Sequence, residues 1–211
     1  MKRRTSVRLL ITAAILISPL ALAQQAVTVQ TDRGAVVGLA GRVNTFLGIP
    51  YAAPPVGEMR WKAPQPAALW NSPRDASKVA NICPQTVVAL FALPGETPGD
   101  VVGNEDCLYL NVYTPKAATA SSRLPVMVWI HGGAFTAGSS NSYDASVLAE
   151  KYGEVVVTLN YRLGPLGFLA LPSLDAGSQG GQSGNYGLQD QLAALRWVKT
   201  NIAAFGAIRM R

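Results

Sequence analysis

The sequence predicts an α/β fold with a mostly parallel central sheet and an antiparallel edge at its N-terminal side. A continuous apolar run at 126–130 is typical of a strand that is buried on both faces, and the β-branched, mostly apolar run at 154–159 predicts another strand. A long helical pattern follows at 187–205. With 211 residues, 49% of them hydrophobic, the chain can bury one core, so we expect a single folded domain.

The chain opens with short strands. Residues 26–31 alternate between apolar and polar side chains, and residues 34–37 and 43–47 continue as strands separated by glycines. They predict a small antiparallel sheet at the N-terminal edge. Residues 66–106 then form a long irregular segment with several prolines, which either lines a functional site or is a surface excursion without a role.

A further strand is predicted at 108–113, ahead of these two runs. A short helix from Asp144 to Lys151 separates these runs, and Asp144 or Ser142 is its expected N-cap. Strand, helix and strand in this order form a right-handed crossover, which makes the two strands parallel neighbours in one sheet.

The helix at 187–205 is the clearest in the chain. Lys199 and Asn201 fall on its polar side. Its apolar residues recur at helical spacing and are expected to pack on one face of the sheet: Leu188, Leu192, Leu195, Val198 and Ile202.

A change to small residues follows the run at 126–130, where the sequence reads His-Gly-Gly-Ala-Phe at 131–135. Small residues leave backbone N–H groups exposed, and two such groups aimed at one point can stabilise a developing oxyanion. The pattern is that of the HGGG-type oxyanion loop of lipases and esterases, with Ala134 in the last small position. An ordinary glycine turn is the alternative, but the strand, the histidine and the phenylalanine together favour the oxyanion loop.

The net charge of +6 does not indicate a nucleic-acid partner, because the excess lies at the two ends of the chain. Between residues 24 and 206, basic and acidic residues are equal in number. The excess comes from six terminal residues: Lys2, Arg3, Arg4, Arg8, Arg209 and Arg211.

Residues 1–23 have the pattern of a secretory signal peptide. A basic start precedes an apolar run at 9–17, and Ala21-Leu22-Ala23 then forms a small-x-small cleavage site. We expect cleavage between Ala23 and Gln24 and export to the periplasm or the medium. An uncleaved anchor is the alternative, but the run is short for a span of about 20 residues, so no stable membrane span is expected after cleavage.

The chain has two cysteines, Cys83 and Cys107. Export makes a disulfide between them possible, and closing this loop would stabilise the fold by roughly 3 kcal/mol. Two buried free thiols are the alternative, although the loop-like segment between them favours the bridge. One histidine and two cysteines at these spacings do not form a zinc site, so we expect no metal and no other cofactor.

Four blocks together resemble the type-B carboxylesterase family, the cholinesterase-like branch of the α/β-hydrolases. They are Thr-Phe-Leu-Gly-Ile-Pro-Tyr-Ala at 45–52, Glu-Asp-Cys-Leu-Tyr-Leu-Asn-Val at 105–112, the loop at 131–138, and Asn-Tyr-Arg-Leu-Gly at 160–164 continuing to Gly-Asn-Tyr-Gly-Leu-Gln-Asp-Gln at 184–191. Their order and spacing are family-like over most of the chain. The resemblance implies an α/β-hydrolase fold.

The resemblance also implies roles for individual residues. It places oxyanion donors on the backbone N–H groups of Gly133 and Ala134, with Gly132 serving the turn, and it pairs Cys107 with Cys83.

Two ion pairs are implied as well, Arg60 with Glu105 and Arg162 with Asp190, and these are expected to be structural. His131 precedes the oxyanion glycines, so its position makes it structural and not the catalytic base.

Ester hydrolysis in such a family needs a serine on a Gly-x-Ser-x-Gly elbow, a histidine and an acid. The sequence contains no such elbow; the nearest segment, Gly-Gln-Ser-Gly-Asn at 181–185, precedes a helix and ends in Asn185. We therefore expect a fold truncated before the nucleophile elbow. The expected organisation is a signal peptide at 1–23, the N-terminal part of a carboxylesterase domain at 24–206, and an aberrant tail at 207–211.

These observations predict a carboxylic ester hydrolase by family, working through an acyl-serine, with this chain an inactive N-terminal portion. A small carboxylic ester is the expected substrate of the whole enzyme, and a complementing C-terminal polypeptide is a possible partner. A non-catalytic binding or adhesion-type protein is the alternative, as is a frameshifted gene product without function.

Overall fold

The computed structural model describes residues 25–90, 92, 94–176 and 183–208. The predicted signal peptide at 1–23 and the last three residues of the predicted tail lie outside this range. The strands are β1 (Ala26–Gln30), β2 (Ala35–Leu39), β3 (Val43–Pro50), β4 (Arg74–Asp75), β5 (Gln85–Thr86), β6 (Val101–Val102), β7 (Tyr109–Pro115), β8 (Val126–Ile130) and β9 (Val155–Leu159). The helices are α1 (Ser146–Tyr152), α2 (Gly164–Phe168), α3 (Pro172–Asp175) and α4 (Tyr186–Asn201).

One mixed sheet organises the molecule, with strand order β1-β2-β3-β7-β9-β8 and β4 paired to β2. Strands β8 and β9 are parallel neighbours joined through α1, which confirms the predicted crossover. The hairpins at the N-terminal edge are antiparallel, as expected. Strands β5 and β6 form a separate small sheet within the long irregular segment.

The prediction of a mostly parallel sheet is wrong for the described strands. Strand β7 pairs antiparallel with both β3 and β9, so parallel pairing is limited to β8 with β9 and β4 with β2. The physical reason is that the described residues contain one strand–helix–strand crossover between sheet neighbours, and each such crossover is what makes neighbours parallel. The α/β class itself is confirmed.

The core lies between the sheet and α4. Strand β9 is buried along its whole length, in keeping with its unbroken apolar sequence. Helix α4 ends at Asn201 and passes into a 3₁₀ turn at Ile202–Phe205, where Gly206 takes a left-handed conformation. The predicted helix at 187–205 therefore corresponds to two helical pieces.

The predicted apolar stripe is confirmed at Val198 and Ile202, which are fully buried, and is wrong for the first half of α4. Leu188 and Leu192 are 41% and 52% exposed, whereas Tyr186, Asp190 and Ala194 are fully buried. The helix is rotated so that the carboxylate of Asp190 reaches the interior, where it bonds Arg162. The buried side of the first half of α4 thus includes an ion pair that hydrophobic periodicity does not predict.

The short helix begins at Ser146 rather than Asp144, and its N-cap residue is Ala145, which makes no side-chain capping bond, instead of the predicted Asp144 or Ser142. The carboxylate of Asp144 still accepts a hydrogen bond from the Ser146 N–H, at 2.9 Å. This bond is a local contact between a side chain and the backbone, of the kind that Asp makes where a helix begins.

The outer edge of β8 is open among the described residues. Met127, Trp129 and Ile130 are each about two-fifths exposed on this strand, so the prediction that the run at 126–130 is buried on both faces is wrong for the described residues. Next to its beginning, Ala207 runs parallel to Leu124, and the N–H of Ile208 donates to the Leu124 carbonyl at 2.7 Å.

Over the described ranges, every helix is too short or too polar to cross a membrane.

Candidate active site

The loop that follows β8, residues 131–138, has an uncommon backbone. Gly133, Ala134 and Phe135 all have positive φ angles, of 118°, 52° and 62°. For residues with a side chain, this region is disfavoured by about 1–3 kcal/mol each and persists where the surroundings enforce it. The loop therefore keeps a shape that the isolated sequence would not prefer.

Gly133 is the residue that this shape requires to be glycine. Its carbonyl accepts hydrogen bonds from the N–H groups of Thr136 and Ala137, at 3.0 and 3.1 Å, which closes a tight turn. A Cβ added at Gly133 would lie 1.9 Å from the Ala137 carbonyl oxygen. A Cβ at Gly132 would meet nothing within 4 Å, so Gly132 tolerates a methyl group where Gly133 does not.

The N–H groups in this loop are free of acceptors within the described residues. None of those on Gly132, Gly133, Ala134 and Phe135 donates a hydrogen bond to another described residue. Gly133 is half-buried, and Ala134 and Phe135 are exposed, so a ligand can reach them. Adjacent unpaired donors at the carboxyl end of a sheet strand can hydrogen-bond a negatively charged oxygen.

His131 lies beneath this loop and is 3% exposed. Its ring stacks on Tyr161 at 4.4 Å, and its Nδ1 lies 2.9 Å from the Gly132 carbonyl oxygen. Nε2 is buried and has no partner among the described residues. Burial lowers the pKa of His131 and so favours its neutral form, and its enclosed position keeps the ring from reaching a bound substrate as a base.

The loop that follows β9, residues 160–164, donates hydrogen bonds to the loop at 131–138. The Tyr161 hydroxyl donates to the His131 carbonyl at 2.9 Å, and the Gly164 N–H donates to the Phe135 carbonyl at 2.7 Å. These contacts bracket the exposed donors from both sides. Nothing in the sequence pattern singles out Tyr161 for this role, since its partner lies 30 residues earlier in the chain.

Arg162 and Asp190 form a buried ion pair. The Asp190 carboxylate accepts from the Arg162 backbone N–H at 3.0 Å and from its Nε and Nη2 at 2.8 Å each. The side chains are 3% and 0% exposed. Burial raises the pKa of Asp190, and the hydrogen bonds from Arg162 oppose that rise because they favour the carboxylate.

Arg60 and Glu105 also form a two-point ion pair, with Nε 2.6 Å from Oε2. Their side chains are 39% and 25% exposed, so solvent screens this pair far more than the buried one. The structure thus contains both ion pairs that the sequence resemblance implied.

A shallow apolar cavity of about 470 Å³ adjoins the exposed donors. Phe135 and Phe168 lie in contact on its wall, with ring centroids 4.9 Å apart. Ala134, which carries one of the unpaired N–H groups, lines the same cavity. An apolar substituent on a carbonyl compound held at the donors would find a hydrophobic surface here.

Ser183 does not have the surroundings of a nucleophile. Its hydroxyl lies 2.7 Å from the Asp175 carboxylate and accepts from the Leu171 N–H at 2.9 Å. It precedes α4 instead of following a strand, and Gly181 and Gln182 of the same segment lie outside the described residues. Within the described part of the chain, no group of three or more metal-binding side chains is found.

Cys83 and Cys107 form a disulfide. Two residues after Cys83, the side chain of Gln85 reaches the end of the 131–138 loop and bonds Gly138. Sequence reasoning missed this residue, because a polar side chain in a proline-containing loop carries no periodic or spacing signal.

The chain is similar in sequence to known esterases. Residues 24–208 match the model of the carboxylesterase family. The chain is 49% identical to fumonisin B1 esterase of Sphingopyxis macrogoltabida over 83% of its length, and 50% identical to para-nitrobenzyl esterase of Bacillus subtilis over 84%. These alignments cover 32% and 35% of the two relatives, so the chain spans about a third of their length.

The fold is also similar to that of solved esterases. A solved PNB esterase superimposes with a TM-score of 0.75 at 46% sequence identity, covering 85% of this chain and 36% of that one. This likeness confirms the α/β-hydrolase fold class that the sequence blocks implied.

Proposed function

Because this chain belongs to the carboxylesterase family, we propose that it supplies the oxyanion-binding part of a serine hydrolase that acts on small carboxylic esters. The observation that carries the proposal is the set of unpaired N–H groups on the loop after β8. Family membership supports the reaction class, and the apolar cavity beside Ala134 supports an ester with an apolar substituent.

In the proposed reaction, a serine hydroxyl attacks the ester carbonyl and the carbonyl oxygen becomes an oxyanion. The N–H groups of Gly133 and Ala134 donate to that oxygen, with Gly132 preceding them in the turn. Removing one such donor typically lowers kcat by about 10²–10³-fold, because the charge then develops without a fixed partner. Collapse of the tetrahedral intermediate expels the alcohol and leaves an acyl-serine for water to hydrolyse.

The nucleophile must come from elsewhere, because the 211 residues contain no Gly-x-Ser-x-Gly elbow. Their one histidine is the buried His131, which leaves no candidate base. The chain by itself is therefore expected to be inactive as an esterase.

The open edge of β8 supports a place for the missing part. Ala207 and Ile208 already run parallel to the chain at Leu124, in line with an additional strand beside β8. The exposed side chains of Met127, Trp129 and Ile130 would be covered by such a strand and its helix. Either further sequence of the same gene or a complementing C-terminal polypeptide would supply it.

We also propose that residues 1–23 are a signal peptide, that 24–206 are the N-terminal part of a carboxylesterase domain, and that 207–211 are an aberrant tail, whose first two residues, Ala207 and Ile208, still lie beside Leu124 and fall within the family match. The disulfide supports an oxidising compartment, since such bonds are rare in the cytosol. N-terminal analysis of the exported protein should give Gln24 as the first residue. A mature protein that retains Met1 would contradict export by cleavage.

A hybrid enzyme tests the proposed reaction. Residues 24–208 would replace the matching N-terminal segment of the Bacillus subtilis para-nitrobenzyl esterase, which is 50% identical and can supply the remaining parts of the site. We expect the hybrid to hydrolyse p-nitrophenyl butyrate, and the 211-residue chain alone to release no product above buffer. A hybrid that folds without hydrolysing any carboxylic ester would favour the non-catalytic binding function instead.

A further inference from the structure

Gln85 makes an unusual set of contacts outside the proposed oxyanion donors. Its side-chain Oε1 accepts from the Gly138 N–H at 2.7 Å, and its Nε2 lies 3.0 Å from the Gly138 carbonyl oxygen. The same Nε2 lies 3.1 Å from the carbonyl oxygen of Cys83. One amide thus holds both polar backbone groups of Gly138 and ties them to a disulfide-bonded cysteine.

Gly138 is in turn packed against the start of the loop. A Cβ added there would lie 2.5 Å from the Gly132 carbonyl oxygen and 2.6 Å from Nδ1 of His131. The position of Gly138 therefore determines where Gly132 and His131 can lie. Gly133 and Ala134 directly follow Gly132 in the chain. A shift of Gly138 would therefore pass through its contact with Gly132 to the unpaired N–H groups.

Two more amides fix the neighbouring segments to each other. Asn141 Nδ2 donates to the Ala80 carbonyl at 2.9 Å. Asn160 Nδ2 donates to the Asn81 carbonyl at 3.1 Å, and its Oδ1 accepts from the Ser140 N–H at 2.7 Å. These amides hold the segment after the loop, while Gln85 alone among the three bonds the loop itself.

We propose that Gln85 is a positioning residue for the oxyanion loop, one that clamps Gly138 and couples the loop to the Cys83–Cys107 disulfide. The inference rests on the proposed function for its catalytic meaning. The clamp explains how a loop with three consecutive positive φ angles keeps its donors unpaired without internal acceptors to fix them. A donor set held before the substrate arrives needs no reorganisation when charge develops.

Hydrogen exchange followed by mass spectrometry tests the clamp on the purified chain without any ester. In the Gln85→Met variant, which keeps the side-chain length, the loop amides of Thr136 and Ala137, which donate to the Gly133 carbonyl, should exchange about tenfold faster than in the wild type. Amides of β9 should be unchanged. Gln65→Met is the matched control, because the Gln65 side chain donates only to the nearby Ala63 carbonyl, at 3.1 Å.

The Gln85→Glu variant separates a hydrogen-bonding clamp from simple packing. At pH 7 its carboxylate cannot donate to the carbonyls of Gly138 and Cys83, so the loop should exchange faster than in the wild type. At pH 4 the protonated carboxyl regains one donor, and exchange relative to the wild type at the same pH should recover.

Three results would overturn the clamp: unchanged loop exchange in Gln85→Met, equal loosening of β9, or no recovery of Gln85→Glu at low pH. The outcome is independent of the hybrid assay. Fast exchange in Gln85→Met together with an inactive hybrid would keep the clamp and reject the esterase function, and the reverse pair would do the opposite.

Discussion

Two loops leave neighbouring strands at the same end of the sheet, and they treat their polar groups in opposite ways. The loop after β8, at 131–138, exposes N–H groups that have no acceptor among the described residues. The loop after β9, at 160–164, is buried at its first four residues, and the Asn160 carbonyl, the Tyr161 hydroxyl and Nε of Arg162 all bond to other parts of the chain. The loop after β8 therefore presents unpaired N–H groups, and the loop after β9 fixes the backbone that carries them.

The contacts between the loops agree with this arrangement. Tyr161 donates to the carbonyl of His131, and Gly164 donates to the carbonyl of Phe135, so support reaches both ends of the donor segment. In both cases the loop after β8 contributes a carbonyl oxygen, and its N–H groups at 132–135 donate to no described residue. Arg162, between these two residues, connects the loop after β9 to α4 through Asp190.

Removing the anchor of the loop after β9 should have the largest effect on folding. Asp190→Ala leaves the buried Arg162 guanidinium without its carboxylate, and we expect a loss of about 3–5 kcal/mol in the free energy of unfolding, measured by urea denaturation. Glu105→Ala is the control at the half-exposed pair and should lose about 1 kcal/mol or less. Equal losses in the two variants would contradict the distinction between them.

Cutting the tie between the loops should have a smaller effect. Tyr161→Phe keeps the stacking on His131 and removes the hydroxyl that donates to the His131 carbonyl. We expect a loss of about 1 kcal/mol in unfolding free energy. Faster hydrogen exchange should be confined to residues 131–138, and an unchanged exchange pattern in that loop would argue against support by the loop after β9.

Acid should weaken the loop after β8 through His131. Its pKa is lowered in the folded state by burial, so the unfolded chain binds a proton at a higher pH than the folded chain does. The contribution of His131 to the free energy of unfolding is therefore fully present above the ordinary histidine pKa of about 6.5, and it falls as the pH drops below that value. The chain has one histidine, so His131→Phe should remove this part of the pH dependence in urea titrations between pH 7.5 and 5.5. A pH dependence that persists in the variant would assign it to other groups.

The sequence predicted the donor loop better than its support. The apolar run at 126–130 and the small residues after it are local signals, and the structure places an exposed loop with free N–H groups there. The helix near 187–205 and the crossover between β8 and β9 were equally local predictions. Each rests on periodicity or on residue size within one short segment.

Features set by distant contacts were not predictable in the same way. Leu188 and Leu192 of α4 are partly exposed while Asp190 on the same helix is buried against Arg162, and no spacing rule contains that partner. The antiparallel pairing of β7 with β9 depends on which strand lies between others in space. Gln85 finds Gly138 across 53 residues, so its role is visible only when both are placed.

The exposed donors are the central claim, and two adjacent glycines test it most directly. In the hybrid enzyme, Gly133→Ala puts a methyl group 1.9 Å from the Ala137 carbonyl oxygen and must displace the loop, whereas Gly132→Ala meets nothing within 4 Å. We predict that Gly133→Ala lowers kcat for p-nitrophenyl butyrate by about 10²-fold or more, as expected for a lost oxyanion donor, while Gly132→Ala retains activity within a few-fold. If both variants keep full kcat, the loop after β8 is not the oxyanion site.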